Sequence, residues 1–134
     1  MPLHPRDVLR STGADDHWLV PNCEHYAGSP RKLLKALDLQ AARGFDFDVT
    51  LDLEDGAPAG AESEAVRELV GIVNQHASFQ PGQNHRLGCR VHPFDHNAFA
   101  DDLHCLAFDL TSPLAYLTLP KAESVEQAQA ALQM

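Results

Sequence analysis

The sequence predicts an α/β fold of four βα units around a parallel sheet, with residues 1–134 forming one domain. The first observation is that four short apolar runs alternate with four amphipathic helical patterns. The second is their spacing: the runs end near residues 21, 53, 91 and 119, and a strand, a crossover helix and two loops need about 30 residues. Crossovers of that length join parallel strands and turn right-handed. Spacing alone leaves open whether the sheet is half a barrel or a small doubly wound sheet.

The first expected strand is His17-Trp18-Leu19-Val20-Pro21, with Cys23-Glu24-His25-Tyr26 as the loop after it. Ser29-Pro30 then opens a helix over Arg31 to Ala42, because serine caps well and proline suits the first helical position. Its apolar stripe reads as Leu33, Leu34, Leu37 and Ala41, and Gly44 stands just past its end. The second strand runs from Phe47 to Leu53, and a helix from about Ala61 to His76 turns Ala65, Leu69, Ile72 and Val73 inward. The third strand is Gly88-Cys89-Arg90-Val91, followed by a helix from Asn97 to Asp109. The fourth is Ala115 to Leu119, and Ser124 caps a last helix ending near Leu132.

Composition excludes several function classes. A hydrophobic content of 44% and a charged content of 22% are ordinary for a globular domain. Nineteen acidic against ten basic residues give a net charge of −9, which repels a phosphate backbone, so nucleic acid is not an expected partner. No run approaches the roughly 20 apolar residues of a membrane span, and the opening residues lack the apolar core of a signal peptide. Cys23, Cys89 and Cys105 are an odd count without CxxC spacing and read as reduced thiols. The expectation is a cytoplasmic protein.

The second strand carries the clearest functional signal. Val49, Leu51 and Leu53 alternate with Asp48, Thr50, Asp52 and Glu54, so an apolar face meets the helices and an acidic face points the other way. Strands of parallel sheets are usually apolar on both faces, and a buried acidic row needs partners, cations or water. Polar groups also follow each strand: Cys23 to Tyr26, Glu54-Asp55-Gly56, Arg90 with His92, and Lys121 with Glu123. Ligands of parallel α/β folds bind at the carboxyl ends of strands, whereas any one such cluster is also what an ordinary polar loop contains. Arg31 and Lys35 share a face at the start of the first helix, where free N–H groups add partial positive charge. Taken alone, that pair reads as a solvated helix face.

Four motifs in order carry a resemblance. Leu19-Val20-Pro21 with Ser29-Pro30-Arg31-Lys32-Leu33-Leu34-Lys35-Ala36, then Leu51-Asp52-Leu53-Glu54-Asp55-Gly56, then Arg90-Val91-His92-Pro93, then Leu119-Pro120-Lys121-Ala122-Glu123-Ser124, resemble the citrate lyase beta-subunit and malyl-CoA lyase family of the HpcH/HpaI aldolase superfamily. The resemblance implies the first half of a TIM (β/α)₈ barrel, which as a whole needs ~250 residues. It also implies a carbon–carbon lyase that cleaves or forms hydroxyacyl-CoA substrates such as citryl-CoA or malyl-CoA, with Mg²⁺ stabilising the enolate.

By the same resemblance, Arg90, Arg31, Lys35 and Lys121 contact the substrate or stand beside it. Arg90 grips a carboxylate or carbonyl oxygen, and Lys121 pairs with the acidic strand. Glu54 and Asp55 are the expected catalytic acids lining the site. No metal ligand is expected among these residues, because the family's two carboxylate ligands come from its fifth and sixth strands. The family's asparagine after Arg-Val is His92 here, and its first loop is shorter and contains glycine, which marks a divergent branch.

Expected partners are an acyl-CoA or small carboxylic acid and, because an open half barrel has unpaired edges, a second copy or a chain supplying the other half. The alternative is a catalytically inactive fragment that binds CoA esters or serves assembly. Replacing Arg90 with alanine is expected to abolish substrate affinity and leave the fold intact. Two rival chemistries are weaker. His92 and His96, with Asp95, Asp101, Asp102 and His104 nearby, offer ligands for Zn²⁺ or Mn²⁺, although the intervening proline breaks any shared helical face. Cys23 and His25 lack the third group of a nucleophilic hydrolase.

Overall fold

The computed structural model describes residues 23–43, 47–76, 86–131 and 133. Along the chain these form β1 (Glu24–Ala27), α1 (Pro30–Ala42), β2 (Asp48–Asp52), α2 (Glu62–Gln75), β3 (Leu87–Arg90), α3 (Phe99–Phe108), β4 (Tyr116–Thr118) and α4 (Val125–Ala131). The strands make one parallel sheet in the order β1-β2-β3-β4. Sequential order with right-handed crossovers puts every helix on one face of the sheet. This is the winding of a (β/α)₈ barrel, and it decides the question that spacing left open.

The hydrophobic core fills the space between that face and the helices. Ala27, Val49, Leu51, Leu87 and Cys89 from the strands meet Leu33 and Leu37 of α1, Leu69 and Val73 of α2, and Phe99 and Leu106 of α3. Neighbouring helices also pack on one another, α1 on α2 and α2 on α3. The stripe of α1 is Leu33, Ala36, Leu37 and Gln40, and Leu34 and Ala41 are exposed. Apolar patterning passed over Gln40 because it is polar. Its amide Nε2 donates to the carbonyls of Phe47 (2.8 Å) and Arg86 (3.0 Å), tying α1 to the entry of β2 and β3. The α2 stripe likewise runs through Val66, Leu69, Val70 and Val73, with Ala65 and Ile72 half-buried beside it.

The expected strand at residues 17–21 lies outside the described residues, as does Gly44. Residues 24–26, read from the sequence as the loop after that strand, are themselves strand: Glu24, His25, Tyr26 and Ala27 pair with Asp48, Val49, Thr50 and Leu51. A polar, aromatic segment is strand here because its alternate residues, Glu24 and Tyr26, join the polar face already prepared by β2. The cap of α4 matches expectation, since Ser124 Oγ accepts the Gln127 amide N–H at 3.2 Å.

Candidate active site

Strand register dictates which side chains share the face opposite the helices. Glu24 stands beside Asp48. Tyr26, Thr50, Gly88 and Tyr116 form the next row, and Asp52, Arg90 and Thr118 the row nearest the carboxyl ends. All of β2 is buried on both faces, so its acids need partners on neighbouring strands. Asp48 receives two bonds from Arg86 Nε, at 3.0 Å each. Burial raises the Asp48 pKa more strongly than Arg86 lowers it.

In the middle row, a Cβ on Gly88 would run into the ring of Tyr116. The bare glycine lets that ring lie across β3, and its hydroxyl meets Thr50 Oγ1 at 2.6 Å. Burial and the charges of Glu24 and Asp48 push the Tyr116 hydroxyl up to about 12. The folded state therefore holds this proton more tightly than an unfolded chain, whose tyrosines ionise near pH 10. The resulting stabilisation is complete below about pH 10 and is lost as pH rises through about 12. Tyr26 is also raised, and the sequence holds two tyrosines. A spectrophotometric titration should therefore show less than half of the tyrosinate signal by about pH 10, whereas full ionisation by then would mean the polar face is open to water.

The last row is the centre of the rim. Asp52 and Arg90 are register partners, and the guanidinium grips this carboxylate through Nε (2.9 Å) and Nη2 (2.8 Å). Just beyond β2, Glu54 Oε2 lies 3.0 Å from Nη1, and Asp55 Oδ2 accepts from Nη2 at 2.7 Å. The ring of Tyr26 covers the guanidinium, with Cζ 5.1 Å from its centroid, an arrangement favoured by the negative face of the π system. These carboxylates, Asp52 foremost, raise the pKa of Arg90. From the loop after β4, Lys121 Nζ reaches Glu54 Oε1 at 2.7 Å. That pairing raises the Lys121 pKa. Lys121 takes a backbone φ of 55°, a left-handed conformation costing an L-residue about 1–2 kcal/mol. Strain of this kind is found where the surroundings hold a residue in place for a role.

Of the residues singled out in the sequence, Glu54, Asp55, Arg90 and Lys121 thus come together in one ion-pair network. Arg31 and Lys35 do not join it: both are exposed on α1. Sequence reasoning missed Asp52 and Tyr26. Asp52 was legible as part of the acidic face, but its register opposite Arg90 was not. Tyr26 reads from the sequence as loop, and its place on the polar face comes from pairing with Thr50.

His92 turns away toward α3. Its Nδ1 lies 2.7 Å from Asp102 Oδ2, which also accepts its backbone N–H at 2.9 Å, and both residues are buried. His96 stacks on it with centroids 4.5 Å apart, while Asp101 accepts a bond from Ser63. No group of three or more His, Cys, Asp or Glu among the described residues is placed to hold a metal ion.

No protein-family profile matches the chain, and no curated protein does. Among solved structures, a citrate lyase from Burkholderia xenovorans LB400 matches over 98% of this chain, with a TM-score of 0.75 and 34% sequence identity. The chain is similar to a citrate lyase. It spans 38% of that enzyme's chain. The citrate lyase-like fold thus agrees with the resemblance carried by the four motifs, and the rim network occupies the end of the strands where such folds bind ligands. Among the described residues, no helix of this citrate lyase-like chain is long and apolar enough to cross a membrane.

Proposed function

We propose that this chain belongs to a carbon–carbon lyase of the citrate lyase type, acting in the cytoplasm on a carboxylate-bearing CoA thioester by retro-Claisen or retro-aldol cleavage, or by the reverse condensation. The observation that carries the reading is Arg90, fixed at the mouth of the sheet by Asp52 and Glu54, in a chain 34% identical to a citrate lyase. Breaking the carbon–carbon bond leaves negative charge on an enolate oxygen, and a preorganised cation at that oxygen lowers the barrier. A guanidinium has five N–H donors. The contacts described engage four of them, which leaves one Nη1 N–H for a ligand oxygen. Asp52 keeps the fork from rotating, Tyr26 covers one face, and Lys121 holds Glu54 in place.

The family's Mg²⁺ does not fit the acids described here. Mg²⁺ requires near-octahedral oxygen ligands and usually binds one or two free carboxylates, whereas Asp52, Glu54 and Asp55 already converge on Arg90.

The test has two arms. Isothermal titration with acetyl-CoA is expected to show binding. Incubation with citryl-CoA or malyl-CoA in Mg²⁺ is expected to release the two cleavage products. Binding without cleavage would establish a CoA-ester-binding module, and absence of both would end the lyase reading.

A further inference from the structure

We propose that Asp55 occupies the ligand's place on Arg90, so that a substrate carboxylate enters the site by displacing it. This deepens the reading above and rests on it, since it names how the same site admits its ligand.

Three carboxylates share the guanidinium, and they are not equivalent. The Asp52 side chain is 11% exposed and takes two nitrogens in a fork that the β2–β3 register enforces. The Glu54 side chain is 6% exposed and is shared between Arg90 and Lys121. The Asp55 side chain is 70% exposed and touches Arg90 through one oxygen on Nη2. Withdrawing Asp52 or Glu54 would leave a buried charge uncompensated, which is strongly unfavourable. Withdrawing Asp55 only returns an already hydrated carboxylate to water, because exposed ion pairs contribute little. Asp55 is therefore the exchangeable partner.

Charge counting points the same way. The network holds three carboxylates, Asp52, Glu54 and Asp55, against two cations, Arg90 and Lys121. A further anion added to this set would meet net negative charge at short range. A carboxylate that replaces Asp55 leaves the count on Arg90 unchanged and inherits a charge-assisted bond of the same kind. Lys121, the network's second cation, also borders a cavity of about 230 Å³ lined by Pro93, Phe94, Leu119 and Glu123. The ligand class is thus a small di- or hydroxycarboxylate fragment. Asp55 sets a threshold that weakly bound monoanions do not pass.

Malonate is the probe, followed by amide NMR titration into the wild-type chain, Asp55→Asn and Arg90→Lys. Asp55→Asn removes the competitor from an exposed position, and malonate should bind it about five-fold more tightly than wild type, the factor equivalent to one exposed ion pair. Arg90→Lys should bind malonate more weakly than wild type, because a lysine lacks the fork. Equal or weaker binding by Asp55→Asn, binding indifferent to Arg90→Lys, or no binding by any of the three overturns the proposal. Acetyl-CoA titrated into the same proteins separates the two ideas. If malonate behaves as expected and acetyl-CoA does not bind, the exchange stands and the lyase reading falls. If acetyl-CoA binds wild type and Asp55→Asn alike, while malonate gains nothing, the exchange falls and the lyase reading passes to the cleavage assay.

Discussion

Arg90→Ala is expected to lose about 3–5 kcal/mol of folding stability along with its ligand, because it strands buried carboxylates without their counterion. The sequence alone led to a milder expectation, loss of affinity with the fold intact. The structure revises it through the exposure of the partners. Asp52 and Glu54 have side chains 11% and 6% exposed, and Arg90 bonds to both. Lys121 compensates only Glu54. Such a loss is a large share of the 5–15 kcal/mol typical of a domain.

Urea denaturation of three proteins checks this: wild type, Arg90→Ala, and Arg90→Ala combined with Asp52→Asn and Glu54→Gln. The triple variant should recover much of the lost stability, since neutral amides carry no unpaired charge. A single variant as stable as wild type would show that water already reaches these acids. The rim would then be an ordinary solvated surface.

What could be read from the sequence follows from which interactions are local. Alternation in Asp48 to Glu54 told which residues share a face, and the structure puts Val49, Leu51 and Leu53 in the core with the acids opposite. Motif order alone places Glu54, Asp55, Arg90 and Lys121 on one rim, and the structure joins them by ion pairs. Register is a different matter. That Asp52 faces Arg90, and that Gly88 leaves room for Tyr116 to reach Thr50, depends on how strands slide past each other. A shift of one residue inverts every side chain, and no local pattern in β1 or β3 specifies the offset. The loop reading of Glu24 to Tyr26 fails for a related reason. Glu24-His25-Tyr26 is polar and carries no apolar alternation, so only its pairing with β2 makes it a strand. Gln40 shows the same limit in a helix, where a polar residue is core because two carbonyls from distant segments await it.

Gly56→Ala should unseat the turn that presents Glu54 and Asp55. A Cβ on Gly56 would collide with the carbonyl oxygen of Asp52 and stand 2.5 Å from both Cα and O of Gly28. The reciprocal Cβ on Gly28 would lie 2.5 Å from Gly56 Cα. Two backbones thus touch where β1 ends and where the turn after β2 begins, and only a pair of glycines permits that approach. Every obstructing atom is main chain, so no rotamer change relieves the clash, and the turn itself must move. Overpacking of this kind costs about 1–3 kcal/mol. The functional loss should exceed that, because the displaced turn carries Glu54, the buried carboxylate that holds Arg90 and Lys121 in place. Gly60→Ala is the fitting control. Its Cβ would meet nothing within 4 Å, although its φ of 87° imposes local strain. It should therefore lose some stability and keep its affinity for malonate. If Gly56→Ala were to lose no more affinity than Gly60→Ala, the glycine contact would be packing without consequence for the site.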